Sequence, residues 1–278
     1  MSAFLSFISL EWYWTLLLTG VLFALGNALA HHYRNVNRHG GSVFPYAALG
    51  FLAGIGLAAV WLLLAYIPHV GQSIQNVGII LGLIHLSLAV LGTLFGLFNH
   101  GKKGLKQGFK LFLGLFYLDE SKNFQGVIFG ILRHTWEIPQ TLIGHALSQI
   151  RNVSSHVSRV EYFGGDTFAI NENQTYQDGI SLGNYLNINL WATIHEDFDR
   201  HIQHDPLLLH EYGHSIDSRI FGWLYLFVIG IPSLHSAMGK GNHSVYWTEK
   251  RANQKAKYYA EKQHDIHWQD FEDDYPTA

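Results

Sequence analysis

Apolar residues crowd three runs in the first hundred positions, residues 12–30, 43–67 and 77–98, without a charged side chain among them. Each supplies close to or more than the ~20 residues a helix needs to cross ~30 Å of hydrocarbon. An all-α transmembrane region of about three helices is therefore predicted within residues 1–118. No basic stretch precedes the first run and no small-residue cleavage pattern interrupts it, which favours a retained span over a removed signal peptide. Buried helices of a large soluble core are the alternative, disfavoured by three such runs in succession. Glycines four apart recur within the runs, Gly50 and Gly54, Gly78 and Gly82, Gly92 and Gly96. That spacing lets helix backbones approach closely in lipid, within one chain or between copies, so a homo-oligomer through these helices is one expectation. His85 falls in mid-run with no acidic partner there, and is read as a hydrogen-bonded packing residue rather than a proton relay.

The pattern then changes. Residues 102–150 stay apolar but are repeatedly interrupted, as expected of one or two helices lying at a membrane interface. From 159 to 191 the chain turns β-branched, aromatic and rich in Asn and Gly, which predicts two or three strands with turns at residues 172–174 and 177–179, and SLGNYLNIN, residues 181–189, as a sheet edge. A helix is predicted over 206–221, with Asp205 as its cap, Pro206 in its first turn and Gly222 as its stop. Residues 223–238, WLYLFVIGIPSLHSAM, are again apolar but broken by Gly230 and Pro232; a membrane-dipping loop and a buried core segment fit equally. A further helix is expected over 246–256. The acidic stretch EDDYPTA, 272–278, is expected to be a disordered end, and His31, His32 and His39 to be solvated loop residues.

Charge sharpens this division. The first 118 residues carry a net +5 and the remaining 160 a net −8, the signature of a membrane part, residues 1–118, joined to a water-soluble part, residues 119–278. Lys and Arg fall in the loops after the first and third runs and are absent before the first and between the second and third, which places those basic loops and the whole second half in the cytoplasm. The absence of Cys fits a reducing compartment. Membrane lipid is an expected partner; nucleic acid is not.

Within the 206–221 helix stands LLLHEYGHSIDS. Eighteen histidines in 278 residues produce H-E-x-x-H by chance about 4% of the time, so context has to carry the motif. His210 and His214 lie one helical turn apart and point the same way, so both rings can reach one ion, while Glu211 is rotated about 100° and sits beside it. Two neutral nitrogens, an open position for water and a carboxylate to take its proton are the parts of a zinc hydrolase. Two surface histidines on an amphipathic helix are the alternative. A third ligand is sought in YWTEKRANQKA, where Glu249 and Asn253 are four apart on one helical face; His243 and His235 come next. His243, Tyr246 and Tyr212 are candidates for the donor that stabilises an oxyanion, each with packing as the competing role. Asp217 either supports a ligand histidine or caps a solvated face, the latter slightly favoured.

HEYGH followed by WTEKRAN resembles the gluzincin class of zincin metallopeptidases. That resemblance implies Zn2+ held by His210, His214 and Glu249, with Asn253 orienting a ligand histidine where many members carry Asp. The charge of that Asp is missing here, which lowers histidine basicity. Residues 135–253 also resemble uncharacterised bacterial membrane proteins with segments like TWEIPQTLIG, HEYGH and WTEKRAN. The helix differs from those of site-2 intramembrane proteases, since Asp205, Asp217 and Arg219 are expected to hold it outside lipid. The resulting expectation is an α+β zincin-like catalytic domain behind the transmembrane region, hydrolysing a peptide or protein with Glu211 as general base, on the cytoplasmic side of a bacterial inner membrane. A zinc-binding membrane scaffold or assembly factor without turnover is the alternative.

Overall fold

The computed structural model describes residues 12–35, 42–69, 71–239, 241–264 and 267–278 as a mixed α+β fold. Three helices long and apolar enough to cross a membrane come first: α1 (Trp12–Asn35), α2 (Phe44–Ala65) and α3 (Gly71–Leu113). Gly50 and Gly54 of α2 lie on the α1 backbone at Phe23 and Thr19, where a Cβ would stand 2.5 and 2.4 Å from carbonyl oxygens. Those glycines therefore serve close packing within the chain. α3 is not one rod. Gly101, at φ 61° and ψ −146°, breaks it, and the chain doubles back so that Gly104 rests on Gly96 and Gly108 on Thr93; glycine alone takes that backbone without strain.

Two short helices follow, α4 (Phe124–Arg133) and α5 (Ile138–Val153). α5 packs against α3 on one side and the sheet on the other, while Ile143 and Ile150 remain exposed. Its buried face is polar, including Gln140, His145, Gln149 and Asn152. Burial is tolerated because the glycines of the α3 hairpin expose backbone carbonyls: Gln149 donates to Gly108 (3.1 Å) and Asn152 to Gly104 (3.0 Å). His85 Nδ1 lies 3.3 Å from His145 Nδ1, so one ring donates to the other, in keeping with its packing role.

Four strands, not two or three, form the sheet: β1 (Arg159–Phe163), β2 (Asp166–Asn171), β3 (Asp178–Leu182) and β4 (Tyr185–Asn189), in the order β1-β2-β4-β3. Tight turns at Gly164-Gly165 and Gly183-Asn184 separate strands that composition merges into longer stretches. β2 and β4 pair in parallel and the outer pairs are antiparallel. The edge near the HEYGH helix is thus β3 alone; Tyr185–Asn189, expected at the edge, is interior. Alternation sends successive side chains to opposite faces. Val160, Tyr162, Ala169 and Tyr185 join Phe23, Ala53 and Leu57 of the apolar helices in one core, which crosses position 118. Phe168, Ile170, Leu186 and Ile188 join Leu208, Leu209 and Ala256 in a second core on the other face. His31 is not solvated as expected: it is buried, stacked on Tyr46, with Nε2 3.1 Å from the Leu118 carbonyl. His32 is exposed, and His39 lies outside the described residues.

The second core is roofed by α6 (Phe198–Ile202), α7 (Pro206–Phe221) and α9 (Trp247–His264), with α8 (Ile231–Met238) to one side. Asp205 caps α7, accepting from the Leu207 and Leu208 amides, and Gly222 ends it at φ 52°.

Candidate metal centre

Gly213 sets the geometry. A Cβ there would stand 2.1 Å from the Ala252 carbonyl oxygen, so α7 and α9 cross almost backbone to backbone. That crossing brings Glu249 Oε2 to 3.2 Å from both His210 Nε2 and His214 Nε2. The three residues are buried, and their ligand atoms lie within 4.8 Å of one another, a cluster that could hold a metal ion. Tetrahedral ligands about 2.1 Å from a metal stand about 3.4 Å apart, so the spacing fits one. In the protein alone, burial raises the pKa of the Glu249 carboxyl, but hydrogen bonds from His210 and His214 outweigh it and hold the group well below the usual carboxylate range. Burial lowers that of His214, but the hydrogen bond and charge of Glu249, together with the charges of Glu211 and Asp217, outweigh this, so it is raised.

His210 Nδ1 donates to Asn253 Oδ1 at 2.6 Å, so Nε2 is the nitrogen that faces the cluster and would ligate an ion. The Asn253 amide is itself held, since Nδ2 donates to the Pro276 carbonyl at 2.8 Å. The acidic stretch after α9 is therefore not a disordered end. Glu272 accepts from the amide and hydroxyl of Thr277, both at 2.7 Å, buried Trp268 donates to the Tyr275 carbonyl, and the Tyr275 ring sits 5.5 Å from that of His210. An Asp at position 253 has no amide to orient; an Asn does, and this segment orients it. Replacing Asn253 with Ala is expected to weaken metal binding about 10–100-fold, and Glu272→Ala to weaken it by less, as measured by competition with a metal indicator. Equal affinity in Asn253→Ala and wild type would remove this support role.

Glu211 lines the same cleft, a cavity of about 1180 Å³ bounded by the β3 edge, α7, α8 and residues 274–275. Ser181 Oγ, on β3, donates to Glu211 Oε2 at 2.6 Å. Gly179, two residues earlier on the same face, leaves room for the carboxylate: a Cβ would stand 2.3 Å from Glu211 Oε1. Neither residue stands out in the sequence, since the strand and the helix meet only in the fold. Gly179→Ala is expected to displace Glu211, retain metal, and lower any hydrolytic rate about 10²-fold; a rate equal to wild type would show that the carboxylate's position is immaterial.

The remaining candidates divide. His243 lines the cleft with Nε2 3.5 Å from Glu249 Oε2. Tyr246 is not among the cleft residues, and Tyr212 is excluded as an oxyanion donor, because its hydroxyl points away to the Gly164 carbonyl at 3.3 Å. Asp217 does not cap a solvated face: it is buried and paired with Arg251 of α9 at 2.9 Å, close enough to His214 for their charges to interact but without a hydrogen bond to it. Arg219 pairs with buried Asp166 at 2.6 Å. Both charges are satisfied inside the protein, so they do not place α7 in water as expected from the sequence. His235 is exposed on α8 and is not a cleft residue.

No family model matches the chain, and no curated protein or solved structure matches it either.

Proposed function

We propose that the protein is a membrane-anchored, zinc-dependent peptidase with a zincin-like catalytic region. The observation that carries this is Glu211: a carboxylate directly after a ligand histidine, held in the cleft by Ser181 and Gly179, has no task at a purely structural metal site. Two imidazoles and one carboxylate are the donor set of zinc hydrolases with an open position for water. Zinc, when bound, lowers the pKa of water to about 7 and polarises a carbonyl.

The chain's own groups supply the rest. Glu211 accepts the proton of the attacking water and passes it to the leaving amine. His243 donates to the oxygen on which negative charge develops. The outer edge of β3 pairs with no strand among the described residues and offers backbone groups along the cleft, so an extended peptide adds there as a further strand. The basic loops after α1 and within the α3 hairpin favour a cytoplasmic catalytic region at a bacterial inner membrane. The test is zinc content and cleavage of a peptide library measured on one purified sample of the full chain in lipid: about one zinc per chain with cleavage supports the reading, and metal without cleavage overturns it.

A further inference from the structure

Between Gly222 and α8 the chain makes a short 3-10 turn, Gly222–Leu224, and a π turn, Leu226–Gly230. Together with α7 this forms a helix pair bent by 118°, apolar enough to count as a broken span or a re-entrant loop. Residues 223–238 contain no Asp, Glu, Lys or Arg. One face of the hairpin closes the metal cleft through Leu226, Gly230, Ile231, Leu234 and Ala237. The other is bare: Trp223, Leu224, Phe227 and Met238 are each more than half exposed, Phe227 by 69%. A soluble surface rarely carries a contiguous apolar patch of this kind without an occupant.

The position of the hairpin identifies the occupant. Trp223 Nε1 donates to the Thr135 carbonyl at 2.8 Å, and the ring of Trp136 fills the space beside Gly222. The adjoining residue His134 packs edge-on to Phe23, with ring centroids 5.2 Å apart, and 6.3 Å from His85. Phe23 and His85 are mid-span residues of α1 and α3. The root of the hairpin therefore lies at the depth of the middle of the apolar helices, not beyond their ends. Exposed apolar residues of α4 and α5, Phe124, Ile128 and Ile143, continue the bare surface from the spans towards it. The charges of α7 that argue against this depth are neutralised internally by Arg251 and Asp166.

We infer that residues 223–238 are seated in the hydrocarbon of the bilayer as a re-entrant hairpin, so that the inner wall of the metal cleft is a membrane-inserted element and the cleft lies against lipid. Non-helical turns at that depth are tolerated where their backbone groups face protein or a water-filled cavity, as the cleft side does here. This seating depends on the surface alone and not on the peptidase reading.

The chain has no Cys, so single cysteines introduced at Phe227 and Met238 can carry a nitroxide label without background. Full-length protein is reconstituted in phosphatidylcholine/phosphatidylglycerol vesicles, with Leu86→Cys on the exposed face of α3 as the lipid reference and Lys103→Cys as the water reference. Labels at 227 and 238 are expected to collide with dissolved oxygen in preference to an aqueous nickel chelate, as at 86 and opposite to 103. Preferential collision with the nickel chelate would place the hairpin in water, and protection from both reagents would show a protein covering instead; either overturns the proposal. Circular dichroism and thermal unfolding of each variant, compared with wild type, report whether the protein has remained folded.

Discussion

Glu211→Gln is expected to keep the metal and the fold while lowering peptide hydrolysis about 10²–10⁴-fold, the usual cost of removing a general base. The side chain is buried, and an amide oxygen can still accept the Ser181 hydroxyl as the carboxylate does at 2.6 Å. Gln matches the size of Glu, so the close approach of Gly179 is undisturbed. What disappears is the ability to take a proton from water. Metal content and kcat/KM measured on the same preparation separate the effects: full metal with a rate reduced by the stated factor supports catalysis. Full metal with an unchanged rate would show that Glu211 is not the general base and has only a packing role, and full metal with no cleavage in wild type would move the protein to the alternative class, a metal-binding membrane scaffold.

Glu249→Ala should act on the metal itself, lowering its content from about one per chain towards zero after dialysis. Glu249 is the only member of the ligand cluster on α9, the other two being on α7, so an ion held there ties two helices together. Binding to the folded state alone stabilises it by about 4 kcal/mol when free metal exceeds Kd a thousandfold. A chelator is therefore expected to lower the Tm of wild type and leave that of Glu249→Ala unchanged, because the variant has no bound metal to lose. Retention of full metal by the variant would mean that the third ligand is another residue, with His243, 3.5 Å from the same carboxylate, the first to replace.

Much of the local organisation is written in the chain. Three uncharged apolar runs specify three helices long enough to span a bilayer, since length and hydropathy decide that by themselves. Asp205, Pro206 and Gly222 bound α7 because caps and stops act through neighbouring backbone groups. Spacing by four puts His210 and His214 on one side of that helix. Such features depend on residues within a turn or two of each other, and they were legible for that reason.

Tertiary structure decided the rest, because it depends on residues far apart in the chain. The crossing of Gly213 over Ala252 makes Glu249 a neighbour of both histidines, and the fold of β3 over α7 gives Glu211 its contacts with Ser181 and Gly179. Asp217 and Arg219 read as solvated charges in the sequence, and only their distant partners Arg251 and Asp166 make burial tolerable. The same holds for the stretch around Tyr275 and Pro276, polar and acidic enough to read as disorder. It is ordered by Trp268, Asn253 and Gln254, through hydrogen bonds across 7 to 23 positions. Periodicity and composition report which face of an element is apolar; which other element covers that face is settled only when the whole chain competes for it.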